Sequence, residues 1–333
     1  MNFIILGAGA IGCYIGARLA AGGRKVALVG RPDTVARFAS TGLTVSDLDG
    51  FKAHVPPRLL HLASSLAAVN MAAPSVILLC VKGWATESAA LEIAACCPAR
   101  TPVVSLQNGV DIVARISAIA PGMQVLAGMV PYNLVLPAPG HVHRASSGCL
   151  YLSSSTLTQE LALLLNACGL ATRLAEDMRP VQWGKLLLNL NNPINALSDL
   201  PLRAQLMDRD YRCVLAGLQQ EALGVMQRAG IRPATVAAVP PRVLPHILRL
   251  PNWLFKLAAA RMLRIDDSAR SSLWDDALQG RTTEINELCG AVVRLARQHG
   301  MSAPRNAVMC ALMAEHQGGT RQSGPGLRWT ALS

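Results

Sequence analysis

Hydrophobic and polar positions follow different patterns in the two halves of the chain. In the first half, short apolar runs alternate with stretches of helical periodicity, which predicts strands at 2–6, 25–29, 75–81, 102–106 and 171–174 and helices at 10–20, 86–95 and 157–168. Weaker strand signals occur at 43–45, at 53–55 and between 124 and 152. Continuous apolar runs separated by helices are typical of a parallel sheet covered on both faces. We therefore predict an α/β domain with a doubly wound sheet.

Strand signals end near residue 177, and helical periodicity continues to about residue 315. The predicted helices of this second half include 204–230, 241–263 and one that ends near Arg297. We expect an α/β domain over 1–177, an all-helical domain over 178–316 and a disordered tail over 317–333, which is rich in Gly, Ser and Gln. A chain of 333 residues has the length of two domains.

A glycine-rich turn lies between the first predicted strand and the first predicted helix. Gly7 allows a tight turn, Gly9 lets a pyrophosphate approach the backbone, and Gly12 lets the helix pack closely on the strand. The unpaired N–H groups at the helix start attract an anion. This order of strand, turn and helix predicts a dinucleotide site of the Rossmann type. The residues expected to bind the cofactor here are Gly7, Ala8, Gly9, Ala10, Ile11 and Gly12.

The end of the second predicted strand indicates which dinucleotide is bound. Proteins that bind NAD usually carry an acidic residue there for the ribose hydroxyls, whereas this chain has Gly30 and Arg31. A guanidinium can pair with the 2′-phosphate of NADPH, so we predict NADPH as the cofactor. The alternative is that Arg31 is an ordinary solvated arginine of a basic protein.

Polar residues also follow two later strands of the predicted sheet. Ligands of open α/β sheets bind beyond the carboxyl ends of the strands. Lys82 follows the strand at 75–81 and is placed to meet the cofactor, or is simply solvated. Asn108 follows the strand at 102–106, where its amide could hold the nicotinamide or a substrate oxygen. The Asn108-Gly109 pair could equally be a turn, since both residues accept a positive φ.

The first helix of the second half has polar residues within a leucine-rich pattern. At about 100° per residue, Lys185, Asn189 and Asn192 point in similar directions. Buried polar groups are costly unless they are paired, hydrated or in contact with a ligand. The functional interpretation makes Lys185 an ammonium acid that protonates a developing alkoxide. The structural interpretation is a lysine and amide pair that caps a neighbouring loop.

Composition and charge exclude several classes of protein. The net charge of +11 comes from scattered arginines, and stacking aromatic residues are few, so we expect anionic small molecules and no nucleic acid as partners. Apolar runs are too short for a membrane span, and no signal peptide precedes the first strand.

Nine cysteines without zinc spacing suggest the reduced cytoplasm. His141 and His143 share a strand face without a third ligand, so we predict no metal site.

Five short motifs in this order and spacing resemble those of ketopantoate reductases, up to about residue 315. They are Gly7-Ala-Gly9-Ala-Ile-Gly12, Val81-Lys82-Gly-Trp, Gln107-Asn108-Gly109, Trp183-Gly-Lys185-Leu-Leu-Leu-Asn189, and Ser271-Ser272 followed by Arg281-Thr-Thr-Glu284-Ile. The resemblance implies an NADPH-binding Rossmann domain, an all-helical domain and an active site between them. It also implies hydride transfer from NADPH to the ketone of 2-dehydropantoate, which yields pantoate for pantothenate and coenzyme A synthesis.

The resemblance further implies roles for individual residues. Lys82 contacts the ribose or phosphate region of the cofactor, and Asn108 lies on the nicotinamide side. Lys185 is the proton donor, while Asn189 and Ser272 hold the substrate. Glu284, which the helical pattern alone would make a surface carboxylate, lies beside the cofactor and helps to order the catalytic site.

The chain departs from the family pattern at two places. The Asn-Pro segment is shifted by about two residues, so the further substrate asparagine is either Asn192 or Asn195. Arg203 stands in a region where the family often has another asparagine, and it could bind a carboxylate. These departures leave open a reductase of another branched 2-oxo acid, or a protein that binds NADPH as a sensor without turnover. A homodimer is compatible with the sequence.

Overall fold

The computed structural model describes residues 1–71, 73–237, 239–260 and 269–319. It divides into two compact units, the first over Met1–Met178 and the second from Arg179 onward. Of the tail expected to be disordered, residues 320–333 lie outside the described residues.

The first unit is built from alternating strands and helices. Its strands are β1 (Asn2–Leu6), β2 (Val26–Val29), β3 (Leu43–Asp47), β4 (Lys52–Val55), β5 (Leu60–Ala63), β6 (Ser75–Leu79), β7 (Pro102–Ser105), β8 (Gln124–Met129), β9 (Leu134–Ala138), β10 (His141–Arg144), β11 (Leu150–Ser153) and β12 (Thr172–Ala175). Its α-helices are α1 (Ala10–Ala21), α2 (Pro32–Thr41), α3 (Thr86–Cys96), α4 (Ile112–Ile119) and α5 (Thr156–Ala167). Short 3-10 turns occupy Pro57–Leu59, Leu66–Ala68 and Gly83–Ala85.

The main sheet confirms the predicted α/β class. Among the described residues, eight strands follow the order β12-β11-β8-β7-β6-β1-β2-β5. Neighbouring strands run parallel except β8 and β11. The central strands are buried on both faces, because helices cover both sides of the sheet. The chain leaves β1 toward β2 on one side and later returns to β6 on the other, so the strand order reverses at β1 and β6. A reversal of this kind marks the ligand site of doubly wound folds.

A second sheet, of strand order β4-β3-β10-β9, was not predicted. Val45, Val55 and Val142 are buried in the core that contains α1. An ionic cluster accompanies this core, in which Arg18 of α1 donates to Asp47 of β3 at 2.8 Å between Nη1 and Oδ2. Arg144 of β10 lies 3.4 Å from the same carboxylate. The second sheet therefore holds the helix that begins at the glycine loop.

The described part of the second unit is helical and contains no strand. Its helices are α6 (Arg179–Asn189), α7 (Asn191–Ser198), α8 (Leu202–Met207), α9 (Arg209–Arg228), α10 (Leu244–Leu248), α11 (Asn252–Ala258), α12 (Ser272–Leu278), α13 (Cys289–Gln298) and α14 (Pro304–Gln317), with a 3-10 turn at Ile285–Glu287. The predicted helix over 241–263 is interrupted at Pro251, which cannot continue the hydrogen bonding of α10. Residues 261–263 of that prediction lie outside the described residues.

Candidate active site

The glycine loop after β1 packs tightly against its surroundings. Gly7 has a φ of +114°, and a Cβ added there would lie 2.6 Å from the backbone nitrogen of Val81, just beyond β6. A Cβ added at Gly12 would lie 2.1 Å from the carbonyl oxygen of Gly7. Any larger residue at either position would push the start of α1 away from the two central strands. These two glycines are thus required by packing.

Gly9 has a different environment from the other two glycines of the loop. A Cβ added at Gly9 would meet nothing within 4 Å, and the residue has ordinary dihedral angles at the N-cap of α1. No side chain of the described loop caps the helix at this point. The first N–H groups of this 12-residue helix are therefore available to an anion. The open space at Gly9 fits the pyrophosphate of a dinucleotide.

The carboxyl end of β2 lies beside the same loop. A Cβ added at Gly30 would lie 2.4 Å from the Cβ of Ala8, so the two backbones approach closely. Arg31 follows directly, with an extended backbone at the N-cap of α2 and an exposed side chain. Its guanidinium is accessible to a ligand that extends from the glycine loop past Gly30.

Gln107, the first residue of the motif that contains Asn108, links the ends of β6 and β7, a role that was not predicted. Its Nε2 donates to Thr86 Oγ1 at 2.8 Å and to the carbonyl oxygen of Lys82 at 3.4 Å. The side chain of Gln107 is buried, whereas Lys82 and Asn108 are half-buried. Gly109 adopts a φ of +116°, as the turn interpretation of this segment requires. Lys82 and Asn108 thus stand at adjacent strand ends beside the point of strand reversal.

Lys185 lies on α6 among apolar neighbours in the second unit. Trp183, Leu186 and Leu187 are buried, and Lys185 itself is half-buried. A Cβ added at Gly184 would lie 2.3 Å from the carbonyl oxygen of Ala234, so a neighbouring segment packs directly on this helix. Burial disfavours the ammonium form and lowers the pKa of Lys185 to about 8. A lysine with this pKa can exchange its proton near neutral pH.

The continuous helix assumed for Lys185, Asn189 and Asn192 is not present. Helix α6 ends at Asn189, and α7 begins at Asn191. Pro193 explains the break, because its nitrogen cannot donate to the carbonyl of Asn189 and its ring clashes with that carbonyl. Asn189 is buried at the end of α6, and Asn192 is half-buried in α7. The geometric argument for a common direction therefore applies to Lys185 and Asn189 alone.

The structure gives the two candidate asparagines of α7 different environments. Asn195 is fully buried, and its Nδ2 donates to the carbonyl of Leu200 at 2.8 Å and to Gln205 Oε1 at 3.2 Å. Its Oδ1 accepts from the backbone N–H of Ser271 at 2.9 Å. Both amide hydrogens of Asn195 are thus used within the protein, which corrects the expectation that it could hold substrate. Asn192 is the remaining candidate of the pair.

The last predicted site residues lie around α12 and the turn before α13. Ser271 is buried and caps α12, whereas Ser272 in the first turn is exposed. Glu284 is only 5% exposed and precedes the 3-10 turn at Ile285–Glu287. The helical pattern taken alone, which made Glu284 a surface carboxylate, was therefore wrong, because the helix begins only at Cys289. Arg203 is exposed on α8.

The two histidines of β10 have a structural partner. Ser46 Oγ lies 2.7 Å from His141 Nε2 and 2.8 Å from His143 Nδ1. Burial and the nearby His143 and Lys52 lower the pKa of His141. The described residues contain no group of three or more side chains suited to hold a metal ion. The histidine pair links β3 to β10 in the second sheet.

A glycine loop at the reversal point of a parallel sheet is typical of dinucleotide-binding proteins, and the half-buried lysine of the helical unit could supply the proton that a dinucleotide-dependent oxidoreductase needs. Residues 3–156 match the family described as "Ketopantoate reductase PanE/ApbA", and residues 177–317 match "Ketopantoate reductase PanE/ApbA C terminal". The chain belongs to the ketopantoate reductase family, as its motifs predicted. Its substrate is accordingly a small molecule.

Relatives match along nearly the whole chain. The 2-dehydropantoate 2-reductase of Pyrococcus horikoshii is 26% identical over 320 residues, which cover 94% of this chain and 96% of the relative. That of Halobacterium salinarum is 26% identical over 311 residues, which cover 91% and 95%. A PanE/ApbA family ketopantoate reductase from Ralstonia eutropha has a TM-score of 0.81 at 27% identity, over 97% of this chain and all of that one.

A second solved structure extends the comparison to another activity. D-mandelate dehydrogenase in complex with NADH and anilino(oxo)acetate has a TM-score of 0.77 at 20% identity, over 96% of this chain and 99% of the other. This likeness shows a shared fold.

None of the helices in the described ranges has the length and apolar character that a bilayer span requires.

Proposed function

We propose that this protein reduces 2-dehydropantoate to pantoate with NADPH, a step of pantothenate and coenzyme A synthesis. The observation that carries the proposal is Lys185, a half-buried lysine with a pKa lowered to about 8. A protein that only binds or senses a dinucleotide has no need of a proton donor in this state. The relatives named 2-dehydropantoate 2-reductase support the choice of reaction.

The cofactor proposal rests on the first unit. The residues from Gly7 to Gly12 would hold the pyrophosphate of NADPH against the start of α1, in the space left open at Gly9. Arg31 would pair with the 2′-phosphate, since its exposed guanidinium follows the residue that contacts the loop. Lys82 and Asn108 would contact the ribose and nicotinamide portions. When bound, the nicotinamide supplies a hydride to the substrate ketone.

The residues of the second unit would handle the proton and the substrate. As negative charge develops on the ketone oxygen, the Lys185 ammonium would stabilise that charge and then transfer a proton to it. Asn189, Asn192 and Ser272 would orient the substrate through hydrogen bonds. Glu284 would order the same site as a buried carboxylate. The homodimer and the cytoplasmic location stay predictions from the sequence.

A second candidate function is the NADPH-dependent reduction of another bulky 2-oxo acid. Arg203 and the shifted asparagines favour it, because they lie where selectivity among 2-oxo acids would be set, and Arg203 is exposed on α8 where the family often has an asparagine. Because the side chain of Asn195 is bonded within the protein, it is no longer a candidate for the substrate contact that the family pattern implies.

The test follows the loss of NADPH absorbance with a panel of 2-oxo acids that includes ketopantoate. We expect ketopantoate to give the highest kcat/KM. A higher value for another acid would favour the second candidate, and no turnover with any acid would contradict both. Lys185→Ala should lower kcat by about a hundredfold or more while NADPH still binds, since proton donors contribute about 10²–10⁴ in rate. Lys256→Ala, which removes an exposed lysine from α11, is the matched control.

A further inference from the structure

A buried network of amides links α7, α8 and the start of α12. Gln205 of α8 is fully buried, and its Nε2 donates to Asn191 Oδ1 at 2.7 Å. Its Oε1 accepts from Asn195 Nδ2 at 3.2 Å. Asn195 Oδ1 accepts from the backbone N–H of Ser271, and Ser271 Oγ donates to the carbonyl oxygen of Asn192 at 3.2 Å. The hydrogen bonds thus run without interruption from α8 through α7 to α12.

The hydrogen-bonded network holds the backbone next to two of the proposed substrate ligands, Asn192 and Ser272. Asn192 lies in α7 between Asn191 and Asn195, and its carbonyl oxygen accepts from Ser271 Oγ. Ser272 directly follows Ser271, whose N–H and Oγ are both bonded to α7. The side chains of Asn192 and Ser272 are themselves half-buried and exposed, respectively. The network therefore fixes the backbone that carries each of them while leaving the side chains accessible.

We propose that Asn195, Gln205 and Ser271 are positioning residues that set the spacing between the substrate ligands Asn192 and Ser272. This inference rests on the proposed function, because it assumes that these two residues bind the 2-oxo acid. Amides suit this task, since Asn195 satisfies two carbonyl acceptors and one N–H donor at once. Loss of hydrogen bonds from this network should weaken substrate binding and raise KM, while proton transfer from Lys185 is unaffected.

The first experiment compares two serines that cap helices in the same way. Ser271 Oγ accepts from the N–H of Trp274 at 3.2 Å, and Ser155 Oγ accepts from the N–H of Thr158 at 3.2 Å in α5. Ser271→Ala and Ser155→Ala should lower Tm by similar amounts, since each loses an N-cap. Only Ser271→Ala should raise KM for the 2-oxo acid, by about three- to tenfold, because it alone loses a hydrogen bond to α7. Ser271→Thr, which keeps the hydroxyl, should restore KM.

The second experiment gives a pH signature that a loss of stability would not give. Asn195→Asp conserves size, but an ionised carboxylate at this position would face the carbonyl of Leu200 at the 2.8 Å separation that Nδ2 now spans. A protonated carboxyl group can donate to that carbonyl, and burial raises the pKa of such a group. The protonated carboxyl group has one O–H and replaces only one of the two donations of Asn195 Nδ2, so KM of the variant should exceed that of the wild type at about pH 5. It should rise further as the carboxyl group ionises at higher pH, whereas the wild-type KM should show no such rise.

The outcomes separate this inference from the proposed function. If the wild type reduces the 2-oxo acid but Ser271→Ala and Asn195→Asp leave its KM unchanged at every pH, the positioning role is wrong and the function stands. The role is also wrong if Ser155→Ala raises KM as much as Ser271→Ala. A wild type that reduces no 2-oxo acid would contradict the proposed function itself. Unchanged NADPH affinity in both variants, measured by fluorescence titration, is part of the expected result.

Discussion

The carbonyl oxygen of Gly7 lies where a side chain of Gly12 would have to begin. A Cβ added at Gly12 would be 2.1 Å from that oxygen, which is far inside van der Waals contact. The contact closes the loop between β1 and α1 and brings the helix start over the ends of the central strands. Packing therefore explains Gly12, whereas packing does not require Gly9, which has open space around it and is proposed to face the cofactor.

This contrast predicts that alanine at Gly9 weakens cofactor binding, whereas alanine at Gly12 lowers stability. Gly9→Ala should lower the free energy of unfolding by no more than about 1 kcal/mol, the N-cap preference for glycine over alanine, because its dihedral angles suit alanine and its Cβ meets nothing. It should nevertheless weaken NADPH binding, since the methyl group enters the space proposed for the pyrophosphate. Gly12→Ala should lower stability in the absence of cofactor by about 1–3 kcal/mol. Urea unfolding and isothermal titration measure both effects. Equal loss of stability in the two variants would contradict the distinction.

A second prediction concerns the choice between NADPH and NADH. Arg31→Ala should raise the Kd of NADPH by about tenfold to a hundredfold and leave the Kd of NADH nearly unchanged, because only NADPH has the 2′-phosphate. The effect should shrink at high salt. Arg37→Ala removes another exposed arginine from α2 and serves as the control. An unchanged Kd of NADPH in Arg31→Ala would show that Arg31 is only solvated. A wild-type preference for NADH, or equal losses for both cofactors, would show that Arg31 does not recognise the 2′-phosphate.

A third prediction concerns the ionic cluster that joins α1 to the second sheet. Asp47 and Arg18 are each 7% exposed, and Arg144 approaches the same carboxylate. Burial alone would raise the pKa of Asp47, but hydrogen bonds from Phe51 and Asp49 and the charge of Arg144 outweigh it and lower the pKa. Asp47→Asn should cost about 3 kcal/mol or more at pH 7, because it leaves buried guanidinium groups without their shared carboxylate. Asp33→Asn, at an exposed position, should cost little.

The sign of the pH dependence follows from the lowered pKa of Asp47. The stabilisation is fully present above the unfolded pKa of about 3.9 and is lost as the pH falls through the lower folded value. The difference in stability between wild type and Asp47→Asn should therefore be constant from pH 7 to about pH 5 and shrink below about pH 4. Urea unfolding at a series of pH values measures this difference. A gap that grows in acid would contradict the assignment.

The sequence predicted those features that depend on local pattern and on the order of elements. The strand at 75–81 was predicted because a continuous apolar run with a turn at each end has one common explanation, a parallel strand covered on both faces. The glycine loop was predicted for the same reason, since its spacing follows directly from a strand, a tight turn and a helix. The strands of the second sheet gave only weak signals, and their assembly over α1 depends on pairings between distant segments.

The environment of a site residue was harder to predict where a proline ends a helix or where distant segments bury a side chain. Pro193 separates α6 from α7, so a calculation at about 100° per residue no longer relates Lys185 to Asn192. Glu284 looked like a surface residue because the helix was assumed to begin before it, whereas it lies ahead of the 3-10 turn and is only 5% exposed. Gln107 stands in one of the five motifs, but its role as a link between strand ends was not predicted, and Gln205 gave no signal, since the partners of a buried glutamine depend on the fold.

The last prediction concerns the pH dependence of turnover and the state of Lys185. Its burial lowers the pKa to about 8, well below the ordinary value of a lysine. Reduction of a ketone needs the ammonium form as proton donor, so kcat/KM, which reports the free enzyme, should be constant below about pH 8 and fall above it, by about tenfold per pH unit. The kcat should also fall in alkali, with the pKa that Lys185 has in the complex. Lys185→Arg keeps a positive charge that does not titrate in this range, so its lower kcat should show no decline between pH 7 and 10. Stopped-flow measurement of NADPH oxidation at limiting and at saturating substrate checks both profiles, because it isolates the chemical step from product release. A wild-type rate that stays level up to pH 10, or an arginine variant that declines in parallel with the wild type, would assign the titration to another group and leave Lys185 without its role as the acid.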